Sequence, residues 1–299
     1  SWGSRFWCSC ANLPPRGSSG DLFRRDGFAA ASGIRFATLG SGSKGNGTVV
    51  IGGDTAVLVD CGFNVKQSAA RLTRLGIAPE ALTAILVTHE HADHAGGVVS
   101  LAHRFNLPVF ASHGTHKALV TRDLDARFRR AFVAGRAFEI GDLLVHPVPV
   151  PHDAREPTQY VIEHATPTSS VTFGILTDIG YPTRHVVDVY RQCNGLLVEG
   201  NHDPVMLMKG DYPPRLKRRI ASDLGHMSNE QTASFLDRIM HDELTHIVIG
   251  HVSEQNNSGD CLKAVFDRFA AVVPNFEYAS QTRGHDWIDI GPVARREVV

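Results

Sequence analysis

One short polar stretch that directly follows an apolar run limits how this chain can fold. Residues 84–87 have the character of a buried strand, and residues 88–94, with the sequence THEHADH, follow at once. This stretch contains four side chains that can bind a metal, His89, His91, Asp93 and His94. Packing at the end of a strand does not require such side chains. In an extended loop the first two histidines can hold one ion while the last two side chains face a second. Histidine and aspartate together suit divalent metals such as zinc.

Other polar groups follow apolar runs in the same way. Asp60 ends a predicted strand at residues 56–59. Three more candidate ligands each lie two residues after the end of a predicted strand. They are His152 after residues 143–150, Asp178 after residues 171–176 and His251 after residues 246–249. Each alone fits a structural histidine or a capping aspartate, but their repeated position at strand ends favours one shared metal site.

The remaining pattern predicts an α/β fold. Further strands are predicted at residues 34–39, 48–51, 85–87, 109–111, 159–163 and 195–198. Helices are predicted at residues 65–75, 95–105, 115–124, 183–192, 213–222, 228–240 and 262–269. Ser228 and Gln231 fit a capping box at the start of one of these helices. The alternation predicts two sheets between outer layers of helices.

Residues 1–33 differ from the rest of the chain, since they are rich in Pro, Gly, Ser and Arg and have no sustained period. We interpret them as a disordered leader or an extension, with a functional arm as the alternative. We expect residues 34–299 to form a single metallohydrolase domain.

Composition narrows the function only slightly. The 299 residues are 42% hydrophobic and carry a formal net charge of -1, so any polyanion site must be a local patch. No run approaches the roughly 18–20 apolar residues of a membrane span, and no membrane partner is predicted. The five cysteines are odd in number and lack paired spacing, which favours a reducing, cytoplasmic location. Protein partners cannot be predicted from these features.

The HxHxDH pattern at residues 89–94 resembles the signature of the metallo-β-lactamase superfamily, and the later strand-end residues match its motifs in order. The resemblance implies an αββα sandwich of two mixed β-sheets packed face to face with helices outside. It implies one metal on His89, His91 and His152. It implies a second metal on Asp93, His94 and His251, a bridging Asp178, and an Asp60 that orients the histidine loop without being a ligand.

Within the superfamily, the chain resembles the YycJ/WalJ-type branch most closely. The matching segments are residues 39–46, 151–154, 225–229 and 250–257. This resemblance implies a phosphodiesterase or nuclease that acts on DNA as a 5′-to-3′ exonuclease, and a bridging aspartate agrees with phosphodiesters. The alternative is hydrolysis of a small ester, a cyclic phosphate or a β-lactam at the same site.

The expected chemistry needs two divalent ions, with Zn²⁺ favoured and Mn²⁺ as the alternative. Such a pair can hold a bridging hydroxide as the nucleophile and neutralise charge on a phosphoryl oxygen. We assign catalytic roles to Asp93 and to His226. His226 is a candidate general acid or phosphate contact at the start of a capped helix, and a capping or supporting histidine is the alternative reading.

Several polar residues are candidate substrate contacts near strand ends, namely Ser41, Ser43, Lys44, Asn46, Ser253, Asn256 and Asn257. The first four fit a phosphate-binding turn or a simple tight hairpin equally well. Two cationic groups are candidates for contact with nucleic acid, and a solvated surface is the alternative for both. The first group is Arg215, Lys217, Arg218 and Arg219, and the second is Arg122, Arg127, Arg129 and Arg130.

Overall fold

The computed structural model describes residues 33–292 of the chain. The predicted leader lies outside the described residues apart from Gly33, so the division of the chain at residue 33 stays a prediction. The described part contains fourteen strands. They are β1 (Ile34–Gly40), β2 (Gly47–Gly52), β3 (Thr55–Val59), β4 (Ala84–Leu86), β5 (Val109–Ser112), β6 (Arg129–Phe132), β7 (Phe138–Ile140), β8 (Leu143–Pro149), β9 (Thr158–Ala165), β10 (Ser170–Leu176), β11 (Gly195–Glu199), β12 (His246–Gly250), β13 (Asn275–Tyr278) and β14 (His285–Ile290).

The same residues form nine α-helices and two 3₁₀ turns, Pro79–Ala81 and Ala126–Phe128. The helices are α1 (Val65–Arg74), α2 (Ala92–Ala95), α3 (Val98–Phe105), α4 (His113–Val120), α5 (Arg184–Tyr190), α6 (Pro204–Lys209), α7 (Pro214–Ile220), α8 (Asn229–Ile239) and α9 (Gly259–Ala270).

The helix predicted at residues 95–105 is wrong in its first turn, because the chain there forms two helices, α2 and α3, separated at Gly96 and Gly97. A Cβ on Gly97 would lie 1.8 Å from the carbonyl oxygen of Phe63. This close approach of two backbones requires glycine and interrupts the helix.

The strands form two seven-stranded sheets in the orders β14-β1-β2-β3-β4-β5-β6 and β13-β12-β11-β10-β9-β8-β7. Each sheet is mixed. In the first sheet β3 to β6 are parallel and β1 pairs antiparallel with both β2 and β14. In the second, β10 to β13 are parallel and β7 to β10 are antiparallel.

The two sheets pack face to face, and helices cover their outer faces. Phe36 of β1 and Phe173 of β10 stack between the sheets with ring centroids 4.1 Å apart. Neighbouring residues within one strand face different layers: Val57 belongs to the inter-sheet core, whereas Leu58 packs with the helices outside the first sheet. Leu197 and Leu196 divide in the same way in the second sheet. The predicted αββα sandwich of two mixed sheets is confirmed.

The carboxyl ends of parallel strands lie at one edge of a sheet, and this geometry brings the polar strand ends together. Asp60 and His251 directly follow β3 and β12, and Asp178 lies two residues after the end of β10. All three have left-handed backbones, with φ of 60° for Asp60, 55° for Asp178 and 48° for His251. Residues other than glycine rarely adopt this backbone conformation, and such strain concentrates at functional sites. The sharp turn takes each residue out of its strand at the same end of the molecule.

Candidate metal centre

The structure brings the seven predicted metal ligands into two adjoining groups. Potential ligand atoms within each group lie within 4.8 Å of one another. The first group contains His89, His91 and His152, and the second contains Asp93, His94, Asp178 and His251. Except for Asp93 and the partly exposed His91, all of these side chains are buried.

Asp178 lies between the two groups. Its Oδ1 is 3.8 Å from Nε2 of His152, whereas its Oδ2 is 3.0 Å from Nε2 of His94 and 3.7 Å from Nδ1 of His251. One carboxylate therefore faces the first group with one oxygen and the second group with the other. This is the position that a bridging ligand needs.

Asp60 fixes the histidine loop. The backbone N–H of Thr88 donates to Oδ1 of Asp60, and the Thr88 hydroxyl donates to Oδ2, each at 2.8 Å. Nδ1 of His94 also lies 2.8 Å from Oδ2 of Asp60. A carboxylate in this position holds the proton on Nδ1, so Nε2 of His94 is the nitrogen that would bind a metal.

The remaining histidines are oriented by other partners. Nδ1 of His89 lies 3.0 Å from the Thr88 hydroxyl, and Nδ1 of His152 lies 3.0 Å from the carbonyl oxygen of Gly225. In both residues Nε2 is the nitrogen left for the cluster.

The side chains of the two groups fit divalent cations. Nε2 of His89 and Nε2 of His251 are buried without a hydrogen-bond partner among the described residues. Burial and the neighbouring His94 hold the pKa of His89 well below its usual value, so its imidazole is neutral. Burial opposes ionisation of Asp178, but His251 and His94 hold its pKa well below the usual range. Burial opposes protonation of His94 and His251, but Asp178 and the other carboxylates beside them raise the pKa of both rings, to about 10 for His251, so a bound cation would displace a proton from each.

Glu199, at the end of β11, is a central residue of the site that the sequence prediction missed. It is fully buried and accepts hydrogen bonds from the backbone N–H groups of Asp178, Ile179 and Met227, at 3.1, 3.2 and 2.9 Å. A signal was present, because Glu199 is an acidic residue that ends an apolar strand, as Asp60 and Asp178 do.

Glu199 also contacts two histidines. Its Oε2 is 3.1 Å from Nδ1 of His226 and 3.4 Å from Nδ1 of His251. Burial opposes ionisation, but these two histidines lower the pKa of Glu199 to about 2. The carboxylate therefore remains charged and holds both rings.

His226 lies beside the cluster, with its ring centroid 5.3 Å from that of His152 and 5.2 Å from that of His251. Its side chain keeps 15% of its exposure, so it can meet a substrate. The predicted capping box of Ser228 and Gln231 is present and begins α8 two residues after His226.

The residues predicted as substrate contacts fall into two kinds. Some already bond within the protein: the Ser41 hydroxyl accepts from the backbone N–H of His251 at 2.8 Å, and Nδ2 of Asn46 lies 3.0 Å from Nε2 of His94. Ser253 accepts from the N–H of Asn256 at 3.1 Å. Contact with a substrate remains a prediction for all of them.

Ser43 and Lys44 are exposed at the tip of the same turn. Nζ of Lys44 pairs with Glu254 at 2.5 Å. This ion pair joins the β1–β2 turn to the loop that follows β12.

Comparisons with known proteins place these features in context. Residues 55–247 match the family described as the beta-lactamase superfamily domain. Exodeoxyribonuclease WalJ of Streptococcus pneumoniae is 34% identical over 229 residues, which are 75% of this chain and 84% of that protein. Exodeoxyribonuclease YycJ of Bacillus anthracis is 35% identical over 227 residues, with the same shares.

The crystal structure of the metallo-beta-lactamase fold protein YhfI from Bacillus subtilis aligns with a TM-score of 0.64 and 16% identity. The alignment covers 86% of this chain and 99% of that one, and it shows a shared fold. No helix within residues 33–292 is both long enough and apolar enough to cross a membrane.

Proposed function

The chain belongs to the β-lactamase superfamily and is a metal-dependent hydrolase of ester bonds, and we propose that it is a nuclease that degrades DNA from the 5′ end with two zinc ions. The position of Asp178 carries the proposal, because its two oxygens face two separate ligand groups. The exodeoxyribonuclease relatives support a nucleic-acid substrate.

In this proposal His89, His91 and His152 would hold one ion, and Asp93, His94 and His251 would hold the other, with Asp178 placed between the two groups. Divalent ions at such a site supply Lewis acidity, lower the pKa of water and offset the charge that develops on a phosphoryl oxygen. Zinc is favoured because histidines predominate among the ligands, and manganese is the alternative.

We assign the proton transfers to side chains of the protein. Oδ2 of Asp93 is 3.7 Å from Nε2 of His251, and the Asp93 side chain keeps 25% of its exposure, so it can accept a proton from the attacking water. Glu199 holds the Nδ1–H of His226, so when the ring is doubly protonated its Nε2–H is free to give a proton to the leaving oxygen. Glu199 is thus a positioning residue for His226.

A cytoplasmic location is part of the proposal. Within the described part of the chain, Cys61, Cys193 and Cys261 are free thiols, as expected in a reducing compartment. Burial raises the pKa of Cys61 to about 11, so this thiol is unreactive.

The test compares three substrates on zinc-loaded protein: end-labelled DNA, bis(p-nitrophenyl) phosphate and the lactam nitrocefin. We expect phosphodiester cleavage, with the label released first from the 5′ end. Rapid lactam turnover without phosphodiester cleavage would instead support the small-molecule alternative. Metal analysis, followed by chelation and re-addition of zinc or manganese, identifies the working ion.

Asp178→Ala should abolish cleavage, because it removes the carboxylate that both ligand groups share. Asp188→Ala on α5 is the matched control, since Asp188 is exposed and pairs only with Arg184 and Arg191 among the described residues. Cleavage at the normal rate by Asp178→Ala would refute the bridging assignment.

A further inference from the structure

The four cations of α7 form a surface that we call the α7 surface, defined by Arg215, Lys217, Arg218 and Arg219. The helix buries none of its side chains. Exposed charge of this kind is often only a solvated helix face, so its meaning depends on where it lies and how its charges are paired.

The α7 surface adjoins the metal centre through two contacts. The Arg219 guanidinium binds both carboxylate oxygens of Asp153, with Nη2 to Oδ1 at 3.0 Å. Oδ1 of Asp153 is in turn 3.5 Å from Nε2 of His152. At the end of α7, the backbone N–H of His226 donates to the carbonyl oxygen of Ile220 at 2.9 Å.

The outer cations of this surface are not neutralised. Within residues 33–292, neither Arg215 nor Arg218 has an ion-pair partner, and Nζ of Lys217 donates to the carbonyl oxygen of Met208 at 2.8 Å. Because the whole chain has a net charge of -1, these cations form a local positive field beside the site.

The second cationic group predicted from the sequence is different. Arg122 donates to the carbonyl oxygen of Glu90 at 2.8 Å, and Arg127 lies 3.5 Å from Asp125. Arg130 donates to the backbone of Arg127 at 2.9 Å. Two of these guanidinium groups are held by backbone carbonyls and one by an ion pair, whereas Nε of Arg129 has no hydrogen-bond partner among the described residues. The α7 surface is the better candidate for an anionic ligand because Arg219 and Ile220 connect it to His152 and His226.

Exposed apolar side chains lie at the same rim. A Cβ on Gly180 would be 2.0 Å from the carbonyl oxygen of Asp223, so the backbones of these two loops touch. On either side of this contact, Tyr181 is 42% exposed and Leu224 is 50% exposed. The backbone N–H of Asp153 donates to the carbonyl oxygen of Leu224 at 3.0 Å, which ties this rim to Arg219.

From these observations we infer that the α7 surface binds the phosphates of a single-stranded nucleic-acid end, while Tyr181 and Leu224 contact its unpaired bases. The inference rests on the proposed function and names the form of its substrate. A duplex offers phosphates but keeps its base faces stacked inside, whereas a single strand offers both to a surface of cations and apolar side chains.

The test replaces the two unpaired cations in Arg215→Gln/Arg218→Gln. Its matched control is Arg104→Gln/Arg238→Gln, which removes two exposed cations near the C-terminal ends of α3 and α8. Degradation of a labelled single-stranded oligonucleotide is followed at several salt concentrations. We expect kcat/KM to fall about tenfold in the α7 variant, and its logarithmic salt slope to shrink by about 0.7 for each phosphate contact removed. The control should match the unmodified protein.

The base contacts are tested with Tyr181→Ala and Tyr181→Phe. We expect Tyr181→Ala to lower kcat/KM for the single strand about tenfold, and Tyr181→Phe to retain it, because the ring and not the hydroxyl stacks on a base. A blunt duplex should lose little. Equal losses on single strand and duplex would overturn the single-strand assignment.

The unmodified protein is assayed in parallel with bis(p-nitrophenyl) phosphate, a substrate too small to reach α7. Absence of that activity would overturn the proposed function itself. If the activity is present and Arg215→Gln/Arg218→Gln degrades the oligonucleotide with normal kcat/KM and normal salt slope, the proposed function stands and the α7 inference is wrong.

Discussion

The two halves of the candidate metal centre are constructed in opposite ways. The first sheet contributes four candidate ligands from one segment after β4, and Asp60, which follows the neighbouring β3, orients that segment. The second sheet contributes single ligands from separate loops, at His152, Asp178 and His251. Glu199 joins two of these loops and the His226 loop.

The two buried carboxylates, Asp60 and Glu199, therefore have different roles. A contiguous loop is short enough to hold its own shape, so Asp60 mainly sets the orientation of the His94 ring. Dispersed ligands have no common backbone, so Glu199 must hold the loops themselves. Replacing each carboxylate should therefore produce different failures, one in metal affinity and one in folding.

The largest effect is expected for Glu199→Ala. The change leaves three buried backbone N–H groups without an acceptor and removes the anion between His226 and His251. We expect the free energy of unfolding to fall by about 3 kcal/mol or more, together with loss of activity. Urea denaturation of metal-free protein measures the first quantity.

Two further variants make the Glu199 result interpretable. Glu199→Gln keeps one oxygen acceptor and should lose less stability than Glu199→Ala. Glu139→Ala, at an exposed position in β7, should change stability by no more than about 0.5 kcal/mol. If Glu199→Ala also changed the free energy of unfolding by no more than about 0.5 kcal/mol, the ligand loops of the second sheet would not depend on this carboxylate.

The next effect is expected for Asp60→Asn. The amide oxygen can still accept from the Thr88 N–H, which turns the amide NH₂ toward Nδ1 of His94. Nδ1 must then accept a hydrogen bond, so the His94 proton moves to Nε2 and removes the lone pair that a metal needs. We expect metal affinity to fall about 10- to 100-fold, measured by chelator competition.

The stability of metal-free Asp60→Asn should fall less than that of Glu199→Ala, and this contrast distinguishes the two halves. Asp54→Asn is the control, because Asp54 is exposed at the opposite end of β3. Unchanged metal affinity in Asp60→Asn would mean that the histidine loop orients itself.

The same contrast explains what the sequence predicts and what it does not. The sequence predicts the candidate ligands of the first sheet because they are contiguous and follow an apolar strand. Glu199 also ends an apolar strand, but its partners come from loops 20 to 52 residues away, so its role depends on the order of strands in the folded sheet. Local spacing contains no information on that order.

Edge strands were missed for a related physical reason. The central strands are buried on both faces and show as apolar runs, whereas β6 and β14, with the sequences RRAF and HDWIDI, mix charged and apolar residues. Their pairing with β5 and β1 defines them as strands. Such segments become strands through tertiary context and not through their own propensity.

The smallest effect tests how the His226 loop is held. The Ser228 hydroxyl accepts from the N–H of Gln231 at the start of α8, and the Ser258 hydroxyl caps α9 in the same way through Cys261. Removing either cap should cost about 1 kcal/mol of stability. Only Ser228→Ala should also lower phosphodiester cleavage, by a few fold, because Ser228 follows His226 by two residues while Ser258 lies in another loop. Equal activity in the two variants, measured at matched metal content, would mean that Glu199 alone positions His226 and that the helix cap serves stability only.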